Sequence, residues 1–223
     1  MREIQPDLWE TEVENPFPGL YTHAYLLVRE GGNILFYNTS HDDEFERMVT
    51  LGGVAYQFLS HWDELGESVR TIASRFGAKL GGHRRERSEI SAYREPDILF
   101  DRREVLLGNI EIIPTPGHSP GSTCFFVRSP HGKRYLFTGD TLWLNRAGVL
   151  SAALLQGSNL KEYIESLATL RELEPDLVIS SATDGGSGVR EIRAREWPKI
   201  VDDALEPLLR KSGASRSADG DSD

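Results

Sequence analysis

The sequence predicts a mixed α/β (α+β) domain, and three observations predict it. Short β-rich runs recur along the whole chain. Apolar residues at helical spacing lie between them, in both halves. Two pairs of strands are separated only by tight turns, so the sheets cannot be purely parallel. A chain of 223 residues is long enough to bury a full core. Residues 1–211 are expected to form one domain. Residues 212–223 are mostly Ser, Gly, Ala and Asp, cannot bury apolar area, and are expected to be a disordered tail.

The elements follow in order. Tyr21–Arg29 and Asn33–Asn38 read as strands flanking the Gly31-Gly32 turn. Ser40 is placed as an N-cap, with Asp42, Asp43 and Glu44 filling a first helical turn where acids are favoured. That helix ends near Gly52-Gly53. Val54–Ser60 is a short strand. Leu65, Val69, Ile72 and Phe76 recur at helical spacing, with Gly77 as the stop. A strand begins at Ala78–Leu80, and Ile98–Phe100, Glu104–Leu107 and Ile110–Pro114 are three more. Thr123–Arg128 and Arg134–Thr138 form a hairpin around Ser129–Gly132. Asn159 starts a helix, with Glu162 placed for a capping box. Leu177–Ser180 is a strand, and a last helical region, about Val189–Leu209, is interrupted by Pro198.

Composition bounds the function. A net charge of −10 repels a phosphate backbone, so nucleic acid is not expected as a partner. The run His83–Arg87, broken by Glu86, reads as a solvated helix face. Cys124 is the single cysteine, so no intrachain disulfide can form, and it reads as a buried, inert thiol. The first residues lack the apolar core of a signal peptide, and no apolar run reaches the ~18 residues of a membrane span. A cytoplasmic protein acting on a small molecule, with no membrane partner, is the expectation.

Three segments share one design: an apolar strand that ends in a metal-capable side chain. They are Phe58–Asp63 (FLSHWD), Ile112–Gly121 (IIPTPGHSPG) and Leu136–Thr141 (LFTGDT). Strand ends on one sheet edge converge, and a Gly before the ligand lets the backbone turn close to an ion. A His-x-Asp pair on extended chain points both side chains to one face, so His61 and Asp63 can share an ion, with His118 and Asp140 joining from other strands. Imidazole and carboxylate suit zinc, iron or manganese.

The segments Thr115–Ser122 (TPGHSPGS) and Phe137–Leu142 (FTGDTL), with Ser60-His61 after an apolar strand and the early hairpin Ala24–Leu27 and Ile34–Asn38, resemble the metallo-β-lactamase superfamily over about residues 4–183. The resemblance implies a four-layer α/β/β/α sandwich and a hydrolytic metal site. The chain departs from the family's His-x-His-x-Asp-His motif. Its second His is Asp63, and its Asp and last His fall on Leu65 and Gly66. The family's final His falls near Ser180-Ser181-Ala182, and its Asp after the second strand is Asn38. His61, Asp63 and His118 remain for one ion, with Asp140 as a fourth ligand or a base. A longer loop in the motif instead puts Glu67 at its end, and Asp184 can stand in for the missing last His; the competing readings are an exposed helix turn and a turn before Gly185-Gly186.

The remaining candidates are weaker. Trp62 and Trp143 either wall a pocket or pack in the core. His23 reads as structural, His41 as a neighbour of the site or a helix-start residue, His83 as a neighbour of the site or surface, and His131 as an exposed turn residue. Two functional classes follow. The first is a hydrolase with one divalent ion (Zn, or Fe/Mn), its ligands His61, Asp63, His118 and Asp140, its catalytic carboxylates Asp140 and Asp63. The second is a non-catalytic relative with a relict site that serves binding or regulation and holds no ion.

Overall fold

The computed structural model describes residues 1–193 and 195–218. The N-terminal half runs β1 (Arg2–Gln5), β2 (Leu8–Glu10), β3 (Glu14–Phe17), β4 (Leu20–Thr22), β5 (Tyr25–Leu27), β6 (Ile34–Phe36), α1 (Asp42–Thr50), β7 (Tyr56–Phe58), α2 (Ser68–Phe76), β8 (Lys79–His83), α3 (Arg87–Tyr93) and β9 (Ile98–Phe100). The second half runs β10 (Glu104–Leu106), β11 (Ile110–Pro114), β12 (Thr123–Arg128), β13 (Arg134–Gly139), β14 (Trp143–Leu144), β15 (Leu150–Ser151), α4 (Leu160–Arg171), β16 (Leu177–Ser180), β17 (Ala182–Thr183), β18 (Val189–Glu191) and α5 (Trp197–Ala218).

Two principal sheets result, ordered β1-β2-β5-β6-β7-β8-β9 and β10-β11-β12-β13-β16-β18. Both are mixed: β5–β6 and β11–β12–β13 are antiparallel, whereas β6–β7–β8–β9 and β13–β16 are parallel. The sheets pack through a dry aromatic seam. Phe36 stacks on Phe137 with ring centroids 3.9 Å apart, and Phe58 stacks on Phe125 at 5.8 Å. Strand periodicity sends alternate residues of β12 to opposite sides. Phe125 and Val127 join this central core, while Cys124 and Phe126 join a second core under α4 and α5. Outside the first sheet, Leu59, Val69, Leu80 and Ile90 bind α2 and α3. The layers are therefore α/β/β/α, as the resemblance implies.

Several local expectations change. The run Tyr21–Arg29 divides between β4 and β5, which belong to different sheets. The chain crosses between them at His23-Ala24, where Ala24 N donates to Thr11 Oγ1 and His23 N to the Ser181 carbonyl. β4 then pairs with β3 and β17 in a third, five-stranded sheet, ordered β15-β14-β17-β4-β3. The N-cap of α1 is His41, without a side-chain bond, because the Ser40 hydroxyl donates to Glu14 instead. Asn159 caps α4 as expected, accepting from Lys161 N and Glu162 N, but the Glu162 carboxylate binds Arg85 rather than closing a capping box. Val189 lies in a strand, and Pro198 opens α5 rather than interrupting it. A proline is tolerated in a first helical turn because its missing N–H has no intrahelical partner there. Helix α5 is assigned to Ala218 and so extends into the segment 212–223. Residues 219–223 of that segment lie outside the described residues. No described helix is long and apolar enough to cross a membrane.

Cys124 is fully buried, and burial pushes its thiol up to about 12. The thiolate is the reactive form. The native protein is therefore expected to be inert to a disulfide reagent at pH 8 and to release one equivalent of chromophore once unfolded in guanidinium; fast labelling of the native state would contradict this packing.

Candidate functional site

The C-terminal ends of β7, β11, β13 and β16 meet on one edge of the sandwich. A backbone bond from Thr123 N to the Ser60 carbonyl, at 2.9 Å, ties the two sheets together there. Gly139 takes a φ of +52° at the end of β13. A Cβ at this position would meet Ser60 Oγ at 2.1 Å, so only glycine permits the approach that brings Asp140 beside His61. Tyr37 braces the same turn: its hydroxyl accepts from Gly139 N at 2.9 Å and donates to the Ile179 carbonyl at 2.7 Å.

The structure brings together all four predicted side chains. His61 Nε2 lies 3.7 Å from Asp63 Oδ2 and 3.5 Å from Asp140 Oδ2. His118 Nε2 lies 3.6 Å from Asp63 Oδ2 and 3.9 Å from Asp140 Oδ2. His61, Asp63 and His118 each present one donor atom, all within 4.8 Å of one another, a grouping that can hold a metal ion. Asp63 reaches the group differently from expectation. His61 is extended, but the next residues, Trp62–Glu64, form one turn of 3-10 helix, and it is this turn that swings Asp63 back beside the imidazole.

The fit of a cation is tested by the unpartnered atoms. His61 Nε2 and both ring nitrogens of His118 are buried without a hydrogen-bond partner. Buried polar atoms are almost always paired, and two of these three, His61 Nε2 and His118 Nε2, face Asp63 and Asp140 together, the signature of donors arranged for something other than each other. Burial opposes charge on the His61 ring, but Asp140 and Glu64 outweigh it and raise its pKa well above the ordinary histidine value. Burial likewise opposes the Asp140 carboxylate, yet the neighbouring histidines and the Ser181 hydroxyl hold it down at about 2.

Glu64 escaped sequence reasoning, and Asn38 and Ser181, noted there only as departures from the family's pattern, have supporting roles that it did not foresee. Glu64, with its side chain only 7% exposed, sits 3.2 Å from His61 Nδ1 and accepts from Ser60 N at 2.8 Å and from the Ser60 hydroxyl. It anchors the nitrogen of His61 that faces away from the cluster, leaving Nε2 directed inward. Asn38 Nδ2 donates to the Glu64 carbonyl at 2.9 Å and so holds the 3-10 turn. Ser181 Oγ donates to Asp140 Oδ1 at 2.5 Å, where the resemblance would place a histidine.

The His83–Arg87 run is only in part a solvated face: it spans the end of β8, a 3-10 turn and the first residue of α3, and Arg84, Arg85 and Arg87 are exposed but His83 and Glu86 are buried. Glu86 Oε1 accepts from Ser119 Oγ at 2.5 Å and Gly121 N at 2.8 Å, pinning the loop that carries His118. On its other side the loop lies against α4, where a Cβ on Gly117 would come within 2.3 Å of Tyr163 Cα. Glu67 and Asp184 do not join the cluster. Glu67 is exposed and bound to Arg70, and the Asp184 carbonyl takes the Arg146 guanidinium. Trp62 and Trp143 are half-buried and line no part of the cleft above the site. His23 spans two carbonyls, those of Thr11 and Gly186, as a structural residue; His41 starts a helix and His131 is exposed.

Because Glu86 supplies both bonds to the loop from inside the protein, Glu86→Ala is expected to cost about 1–3 kcal/mol of stability, the penalty for stranding buried donors. Chemical denaturation checks it; an unchanged midpoint would show that the loop is held by other contacts.

Residues 53–182 match the family described as the metallo-beta-lactamase superfamily. A 78-residue stretch is 38% identical to a hydroxyacylglutathione hydrolase from Salmonella arizonae, covering 35% of this chain and 27% of that protein, so the match spans about a quarter of the relative's length. Among solved structures, a metallo-beta-lactamase from Pontibacter korlensis superposes with a TM-score of 0.70 at 17% identity, over 93% of this chain and 97% of that one. A metallo-beta-lactamase superfamily protein from Sulfolobus tokodaii gives 0.63 at 19% identity, over 91% and 86%. With more than half of its length matched to the family, and the fold shared along nearly all of it, the chain belongs to the metallo-beta-lactamase superfamily.

Proposed function

We propose that this protein is a hydrolase working with one divalent ion, held by His61, Asp63 and His118 with Asp140 beside them. The observation that carries this reading is the cluster of buried, unpartnered imidazole nitrogens facing two carboxylates. A divalent ion bound there supplies Lewis acidity toward a carbonyl and activates water for attack. The protein's own residues do the rest. Glu64 and Ser60 fix the His61 ring, and the Glu86-pinned loop fixes His118. Ser181 occupies Asp140 Oδ1, so Asp140 turns Oδ2 toward the cluster as a ligand or as the acceptor that orients a water. The two-histidine, carboxylate donor set suits iron or manganese as well as zinc. The match to a hydroxyacylglutathione hydrolase supports acyl-ester or thioester chemistry over phosphodiester chemistry.

A second reading rests on the donors that are missing. Leu65, Gly66 and Ser181 leave no set for a second ion, which favours a relict site in a protein used for binding. Elemental mass spectrometry separates the two. About one equivalent of metal, lost in His118→Ala, is the expected result; no metal even after incubation with excess ion would leave the relict reading. In the loaded protein Asp140→Asn is expected to lower turnover at least 100-fold with the fold unchanged by circular dichroism; full activity in that variant would remove Asp140 from the mechanism.

A further inference from the structure

The site opens into a cleft of about 560 Å³, large enough for a substrate of drug-like size. Its walls divide by chemistry. Phe17 and Leu20, from the β3–β4 hairpin, and Leu155, from the loop before α4, contribute apolar surface. Phe17 and Leu155 are exposed (61% and 55%), so both are open to a ligand entering the cleft. Among the described residues, the polar part of the lining carries four carboxylates, Glu14, Asp63, Glu64 and Asp140, and neither lysine nor arginine. Glu14 is fixed there by the Ser40 amide and hydroxyl, at 2.8 and 2.6 Å, and by the Thr39 hydroxyl.

The charge balance follows from that lining. A divalent ion offsets two carboxylates and leaves two, with no lysine or arginine among the described lining residues to receive an anionic group. A carboxylate or phosphate on the substrate would meet uncompensated negative charge beside partly buried carboxylates, where such repulsion is screened less than at an open surface. An aliphatic tail would meet Phe17, Leu20 and Leu155 and gain by burial.

We infer that the cleft selects an uncharged acyl substrate, an ester, lactone or thioester whose acyl tail is aliphatic, with Phe17, Leu20 and Leu155 as its tail site. The inference rests on the hydrolase reading and narrows it. The acyl C–O or C–S bond breaks, a C–O bond to water oxygen forms, and one water proton leaves with the alcohol or thiol. Glutathione thioesters, which carry carboxylates, fall outside this class, although a curated relative is named for one.

The test uses the metal-loaded full chain and two p-nitrophenyl esters of equal acyl length, the uncharged hexanoate and the adipate half-ester with its terminal carboxylate. The hexanoate is expected to show a kcat/KM at least tenfold higher. Leu155→Lys is expected to narrow or reverse that ratio, and Phe17→Ala to narrow the preference for hexanoate over acetate. Equal rates for the two esters, or a preference for the adipate, would overturn the inference while leaving the hydrolase reading intact. If neither ester is turned over, the hydrolase reading fails on its own. Ligand-observed NMR with N-butylhexanamide and its terminally carboxylated analogue then decides the cleft: binding of the neutral amide alone supports the inference, and equal or stronger binding of the acid overturns it.

Discussion

The contact between Gly139 and Ser60 is the constraint on which the site depends. The two strand ends belong to different sheets, and they approach until no Cβ fits between them. That approach places Asp140, at the end of one sheet, against His61, at the end of the other. Everything behind it serves to hold the two sheets at this distance. The stacked pairs Phe36–Phe137 and Phe58–Phe125 set the spacing, and Tyr37 reaches from the first sheet to bind Gly139 and Ile179 in the second. The aromatic core is thus a spacer for the chemistry as well as a source of hydrophobic stability.

How much of this was legible in the sequence depended on the range of the interaction involved. Strands and helices with strong local signals appear where the pattern puts them: the Gly31-Gly32 hairpin, the Gly77 stop and the Asn159 cap each depend on a few neighbouring residues. The convergence of His61, His118 and Asp140 was also legible, because each follows an apolar strand and strand ends converge; Asp63 joins them through the 3-10 turn rather than by strand alternation. Glu86 was not, since its partners Ser119 and Gly121 lie more than thirty residues away and nothing in a basic run advertises a buried carboxylate. Ser181 was legible only as a gap in a resemblance, not as the donor to Asp140. Glu64 carried one usable signal, its place three residues after His61, which does not distinguish it from the neighbouring Asp63. The third sheet was missed because its strands are two to four residues long and its pairings join both ends of the chain.

Asp140 illustrates how one carboxylate can be divided between structure and chemistry. One oxygen is occupied by the Ser181 hydroxyl and the other faces the histidines. A serine in that position satisfies the oxygen without adding a metal donor. The arrangement is therefore internally consistent for a single ion, and the residues Leu65 and Gly66 that replace donors in the motif form part of the cleft lining instead.

The loop bearing His118 is held by Glu86 on one side and, on the other, by Ser158, Asn159 and Ser166 bonding to its carbonyls, while the imidazole itself makes no hydrogen bond. Scaffold and reagent are thereby decoupled at this position. A side chain of similar volume can replace the buried ring without removing the bonds that shape the loop, so the site can gain or lose a donor by a single substitution. A frame of this kind permits a lineage to drift between binding and catalysis, and between one metal and another, without first having to rebuild its fold.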